Sequence, residues 1–86
     1  MGYDVLESTW LGPNVRQLVI RAPHVVRRCS AGQFVIVRPT TDSERIPLTV
    51  AHCDRKEGTV TLIIQQIGVT TKQICALEKG SQMADI

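Results

Sequence analysis

Two short segments of the 86-residue chain carry residue types that can grip an anion. The first is Glu44-Arg45-Ile46-Pro47-Leu48-Thr49-Val50. Read as a strand, it turns Ile46, Leu48 and Val50 inward and Arg45, Pro47 and Thr49 outward. Arg45 and Thr49 then stand about 13 Å apart on one surface, at roughly 3.3 Å per residue. A guanidinium can hold phosphate through two parallel N–H groups, and a threonine hydroxyl can donate to a heteroatom of an aromatic ring. Pro47 has no N–H for a ladder, which predicts an edge or a bulge there and a surface open to a ligand. The second segment is Gly68-Val69-Thr70-Thr71. As the start of a helix it offers free N–H groups, the positive end of the helix dipole and two hydroxyls. Gly68 lets the backbone come close to a phosphate. Together the segments predict a diphosphate held between a strand arginine and a helix tip. Each also has an ordinary reading: Arg45 paired with Glu44, Thr49 present for strand propensity, and 68–71 a plain capped helix start.

Other chemistries find no support. His24 and His52 lie beside no nucleophile motif, and paired carboxylates, a Walker loop and metal-ligand spacings are absent. Cys29, Cys53 and Cys75 stand 24 and 22 positions apart, an odd set without a C-x-x-C pair. That fits neither a disulfide framework nor a zinc or iron–sulfur site. It predicts free thiols serving as small buried hydrophobes in reducing cytoplasm. Net charge is +2, from ten Lys and Arg against eight Asp and Glu, too balanced to argue for nucleic acid or lipid. No run nears the roughly 18 apolar residues of a membrane span, and the first residues lack a signal peptide's apolar stretch. The expectation is a cytoplasmic protein without membrane or nucleic-acid contacts and without a metal site.

The elements that must position the two segments read mainly as strands. Tyr3 to Leu11 is rich in strand formers and stops at Gly12-Pro13-Asn14, a turn signal. Val15 to Ala22 alternates, with Leu18, Ile20 and Ala22 on one side, and Pro23 ends it. His24 to Ala31 is irregular. Gly32 opens Gln33 to Arg38, a β-branched run in which Phe34 reads as core. Ile46 to Ala51 and Thr59 to Gln66 read as strands joined by a Gly-containing hairpin loop at 54–58. After Gly68, Thr70 and Gln73 fit a capping box, Val69 and Ile74 a hydrophobic staple, and Lys79-Gly80 a helix end. Five strands and one short helix indicate a small antiparallel barrel or sandwich. With 43% hydrophobic residues and a mean hydropathy of +0.02, the composition suits a globular core. The core must be thin, because a chain this short buries only roughly 60% of its unfolded surface. A barrel needs its last strand to hide an edge. The chain stops at Asp85-Ile86, so either the single domain over 1–86 is incomplete or its last few residues close the seam.

Ala31-Gly32-Gln33-Phe34-Val35, then Arg45-Ile46-Pro47-Leu48-Thr49, then Gly68-Val69-Thr70-Thr71 with Leu77-Glu78-Lys79-Gly80, resemble a known family in order and spacing. It is the FAD-binding domain of the ferredoxin–NADP reductase superfamily. Within it, the chain resembles the small subunit of NADH-dependent ferredoxin–NADP oxidoreductase, with sulfide dehydrogenase and the electron-transfer subunit of dihydroorotate dehydrogenase B as relatives. The resemblance covers nearly the whole chain. It implies an all-β fold, a six-stranded antiparallel Greek-key barrel with a short C-terminal helix and FAD at its edge. It further implies that Arg45 binds the FAD diphosphate and that Thr49 hydrogen-bonds the reactive edge of the flavin. Backbone around Ile64, Gln65 and Gln66 would contact the flavin and ribityl chain, and Gly68, Val69, Thr70 and Thr71 would complete the diphosphate pocket. Many members carry Arg-x-Tyr-Ser, whereas here arginine and hydroxyl lie one position further apart. With no aromatic in that motif to stack on the ring, Pro47 or Leu48 must cover it.

The resemblance implies a flavoprotein oxidoreductase that passes electrons between NAD(P)H and an iron–sulfur protein or centre. The nicotinamide-binding domain and the cysteines of a [2Fe–2S] centre would lie beyond Ile86, so this chain alone should not turn over. A larger oxidoreductase subunit or an iron–sulfur protein is the implied partner, and an unclosed edge also predicts homodimers. Two other readings stand beside this one. One is a ligand-free interaction module or fragment that self-associates through an exposed strand edge. The other is a nucleic-acid-binding barrel of the OB type, for which three scattered aromatics and dispersed arginines are poor material.

Overall fold

Alternation along the chain decides which residues enter the core. The computed structural model describes residues 2–30 and 32–86. Ala31, which belongs to the glycine motif above, lies outside the described residues. β1 (Tyr3–Gly12) and β2 (Val15–Arg21) form a hairpin at the expected turn, where Gly12 pairs with Val15. In β2 every second residue is buried: Arg16, Leu18 and Ile20. α1 (Pro23–Val26) follows, a single turn with Pro23 at its first position, where a missing N–H costs nothing. This segment was expected to be irregular, since one turn is too short to show a helical period. β3 (Phe34–Val37), β4 (Ile46–Asp54) and β5 (Thr59–Gln65) come next, then α2 (Val69–Cys75) and β6 (Gln82–Met83).

The six strands form one antiparallel sheet in the order β3-β4-β5-β2-β1-β6. Its two ends meet. Arg38, just after β3, exchanges backbone hydrogen bonds of 3.1 and 3.0 Å with Asp85, and the Ala84 N–H donates to the Pro39 carbonyl at 3.2 Å. The last residues therefore bridge the seam. Leu18, Ile20, Val60, Leu62 and Ile64 fill the inside of the curl, with Val26 from α1, Ile74 and Cys75 from α2, and Met83 from β6. Truncating one of these large side chains to alanine costs about 2–5 kcal/mol, since the cavity left behind collapses only in part.

The β4–β5 connection is built by Asp54 and Gly58. The Asp54 carboxylate accepts from the Lys56 and Glu57 amides at 3.0 Å, and Gly58 holds φ at +70°. A Cβ at Gly58 would stand 3.1 Å from the Pro23 Cβ, so this turn needs glycine twice over.

Three sequence expectations are corrected here. Cys29 and Cys53 are joined in a disulfide, and only Cys75 is a free, buried thiol. Folding brings the segment after α1 against β4, a proximity that spacing along the chain does not encode. Phe34, expected in the core, is 68% exposed. Val35 and Val37 are the inward pair of β3, and Phe34 and Ile36 point out. Finally, α2 begins earlier than the Thr70–Gln73 box implies: Gly68 is its N-cap and Thr71 takes the capping role. Val69 is 77% exposed, so it forms no staple on Ile74, and Gln73 instead accepts from the Ser43 hydroxyl at 2.7 Å. The helix ends at Cys75, well before Lys79 and Gly80.

Candidate functional site: an opened β4–β5 ladder beside α2

β4 changes partner halfway along its length. Ile46, Pro47, Leu48 and Thr49 pair with Val37, Ile36, Val35 and Phe34 of β3. Pairing with β5 begins only at Val50, opposite Leu62, and a bulge follows between Val50 and His52. On the other side, Ile63, Ile64 and Gln65 of β5 pair only with β2, opposite Gln17, Arg16 and Val15. Residues 46–49 and 63–65 therefore face each other across an unzipped stretch of sheet. Pro47, which cannot donate to a ladder, lies in this stretch, as its chemistry predicts.

α2 starts beside the gap. A cavity of about 380 Å³ is lined by Glu44 and Ile46 on one side and by Ile67, Gly68, Val69, Thr70 and Thr71 on the other. A second, of about 390 Å³, runs along Gln66, Ile67, Gly68, Val69 and Lys72. The Thr71 hydroxyl accepts from the Ile67 and Gly68 amides at 2.9 and 2.8 Å and donates to the Gly68 carbonyl at 3.1 Å. It is thus occupied in holding the turn. The first-turn amides of Val69, Thr70 and Thr71 have no acceptor within the helix and remain to meet a ligand. At seven residues the helix contributes through these N–H groups more than through a macrodipole.

The expected residues divide by position. Pro47 and Thr49 are exposed on the outer face, and Gly68, Val69, Thr70 and Thr71 share one cavity wall. Leu48 and Ile64 turn inward, Leu48 against the core and Ile64 within it, so only their backbone is available. The Gln66 amide is already bound to the Asn14 carbonyl at 2.7 Å. Arg45 does not pair with Glu44. Its guanidinium, 60% exposed, reaches Asp85 Oδ2 at 3.2 Å, the oxygen that Arg38 also holds. Three residues missed by the sequence reading join the site. Ile67 lines both cavities, Ile46 lines one although it was assigned to the core, and Phe34 stands opposite Thr49. Correct pairing of β3 with β4 would have revealed Phe34, since residues directly across a ladder share a face.

A buried arginine pins the far end of α2. Arg16, only 4% exposed, donates through Nε to the Ser8 hydroxyl at 2.6 Å, and that hydroxyl donates to the Leu77 carbonyl at 2.6 Å. The guanidinium lies 4.7 Å from the centre of the Trp10 ring and 3.5 Å from the Glu78 carboxylate. Burial pushes the nearby Cys75 thiol above its ordinary pKa, and the positive charge of Arg16 opposes that rise.

No protein-family model matches the chain. It is 39% identical over 83 residues to an uncharacterized protein in the adh 3' region of Clostridium beijerinckii, covering 96% of this chain and 28% of that protein. It is 29% identical over 83 residues to the dihydroorotate dehydrogenase B (NAD(+)) electron transfer subunit homolog of Thermotoga maritima, covering 96% of this chain and 29% of that one. Among solved structures, an NADH-dependent reduced ferredoxin–NADP oxidoreductase, described in the context of flavin-based electron bifurcation, superposes with a TM-score of 0.92 at 28% identity. That match covers 99% of this chain and 31% of the other. The chain thus spans less than a third of the length of the relatives it matches. Over that span, the chain is similar in sequence to the electron transfer subunit homolog and in fold to the solved oxidoreductase.

Proposed function

We propose that this chain is the FAD-holding barrel of an oxidoreductase that passes electrons between NAD(P)H and an iron–sulfur protein or centre. The observation that carries the reading is the opened β4–β5 ladder. Unpaired backbone edges of residues 46–49 and 63–65 flank a gap that has Thr49 on one side and the first turn of α2 nearby. Backbone groups left without ladder partners are costly unless something pairs with them, and a polar planar ring with amide-like edges is a suitable partner.

The residues present fit FAD. Thr49 offers a hydroxyl to the ring, Pro47 and Phe34 offer exposed apolar surface to its face, and the Gln65–Gln66 backbone borders the gap. The amides of Val69, Thr70 and Thr71 suit a diphosphate, and Gly68 keeps the approach clear, with nothing within 4 Å of where its Cβ would be. Arg45 can supply the guanidinium once it exchanges the Asp85 carboxylate for phosphate, since both are anionic oxygen acceptors. When bound, FAD supplies the hydride and single-electron chemistry, and the protein supplies its binding and orientation. The resemblance assigns neither the nicotinamide site nor the [2Fe–2S] centre to these residues, and the role proposed for them is that of a cradle. Titration of the protein with FAD tests the reading. A shifted flavin absorption and quenched fluorescence, poorly reproduced by FMN or riboflavin, are expected.

A further inference from the structure

Two guanidinium groups converge on one oxygen at the seam. Arg38 and Arg45 both donate through Nη2 to Asp85 Oδ2, so a single carboxylate serves two cations. They are held unequally. Arg38 also exchanges both backbone hydrogen bonds with Asp85, and its Nη1 donates to the Thr41 carbonyl at 3.3 Å. Its side chain is 22% exposed, and its buried Nε has no partner. A guanidinium that already lacks one acceptor gives up another only at high cost. Arg45, by contrast, is exposed and reaches Asp85 through a single bond of 3.2 Å, its only ion pair among the described residues. Exposed pairs of this kind are weak. Arg45 is therefore the partner that can leave, and the seam backbone keeps Asp85 beside Arg38 when it does.

We propose that Asp85 is a built-in competitor for the cofactor's diphosphate, and that it sets how strongly the site prefers FAD to riboflavin. The inference rests on the reading of this chain as an FAD cradle. In the free protein the Asp85 carboxylate occupies the Arg45 guanidinium. When a diphosphate arrives, Arg45 turns to it and Arg38 keeps Asp85. Both acceptors are anionic oxygens that a guanidinium grips in the same way, so the exchange needs no rearrangement of the barrel. A ligand that carries phosphate must overcome the pair, whereas riboflavin has no phosphate for Arg45 and leaves the pair in place. Asp85 thus lowers the affinity for FAD selectively. The coupling is reciprocal: bound FAD removes one of the two charge ties at the seam and leaves its backbone bonds intact.

Asp85→Asn tests this, since the amide oxygen can still accept from Arg38 while the charge that holds Arg45 is gone. Affinities for FAD and riboflavin are measured in the wild type, Asp85→Asn, Arg45→Ala and the double variant R45A/D85N. Asp85→Asn should bind FAD about two- to fivefold more tightly, the size expected for an exposed ion pair, with riboflavin unchanged. The gain should disappear in the Arg45→Ala background, which separates competition for that guanidinium from the general effect of one negative charge fewer. Urea unfolding checks that Asp85→Asn is folded. Should it not be, Asp85→Ser carries the same test, because the seam's backbone bonds do not use the side chain. A wild type that binds FAD, with Asp85→Asn binding it no better or more weakly, would overturn the competition and leave the FAD reading standing. An equal gain for riboflavin, or a gain that persists without Arg45, would overturn it too. If neither the wild type nor Asp85→Asn binds FAD, the FAD reading falls and this inference with it.

Discussion

Phe34 on β3 stands directly opposite Thr49 on β4, and both side chains are exposed on the outer face of the sheet. Facing residues in an antiparallel pair have Cβ atoms about 4.5–5.5 Å apart, so the aromatic ring and the hydroxyl border one patch. The patch continues along the ladder to Ile36 opposite Pro47. An apolar surface next to a lone hydroxyl, at the mouth of the opened ladder, suits a flat ring with one polar edge.

Phe34→Ala should therefore weaken FAD and riboflavin by similar factors, about 0.5–1.5 kcal/mol for the lost aromatic contact. Thr49→Val, which keeps the shape and removes the hydroxyl, should also act on both ligands, by roughly 1 kcal/mol. Fluorescence titration of each variant with the two ligands checks this. Unchanged affinity in both variants would show that the ring lies elsewhere.

Arg16 should be a stability residue whose effect depends on its shape. Its Nε bond to Ser8, its place over Trp10 and its reach to Glu78 all use the flat guanidinium. Arg16→Met should cost about 1–3 kcal/mol in urea unfolding, and Arg16→Lys should recover little of it. Full recovery by lysine would mean that charge alone matters there.

Cys75 gives stability a dependence on alkaline pH. Burial raises its pKa in the folded protein, so the unfolded chain loses that proton first as pH rises. The unfolded state then binds fewer protons, and stability falls once pH passes the unfolded thiol's value of about 8.5. Below that pH the group contributes no slope. Urea midpoints of the wild type and Cys75→Ala across this range should diverge, with the alanine variant losing less. Parallel curves would contradict the assignment.

How far the chain could be read without its structure depends on the range of each signal. Leu18 and Ile20, or Leu62 and Ile64, declare their strands because alternation is local. Pro47 marked an interruption in its ladder, and Gly68 to Thr71 marked a helix start within two residues of the true one. The signals that failed are relations between distant segments. Nothing near Phe34 tells which way β3 is turned until its pairing with β4 is known. Arg16 looks like a surface cation until Ser8 and the Leu77 carbonyl arrive from both sides. Cys29 and Cys53 meet because the segment after α1 lies against β4, where Gly32 and Gln33 bond the Val50 backbone, a contact between residues far apart in sequence. Arg45, whose ordinary reading paired it with neighbouring Glu44, meets a distant acid, Asp85, across the seam.

The central claim, that the chain grips FAD by its diphosphate through Arg45 with the ring at the opened ladder, is tested most directly by one comparison. The affinities of wild type and Arg45→Ala for FAD and for riboflavin are measured side by side. Arg45 is 60% exposed, so its loss should leave the fold intact. The account predicts that the wild type binds FAD more tightly than riboflavin. It predicts that the variant loses about 1.5–3 kcal/mol for FAD, the range for a charged hydrogen bond, with little change for riboflavin. Equal weakening of both ligands, or a wild type that binds neither, would contradict it.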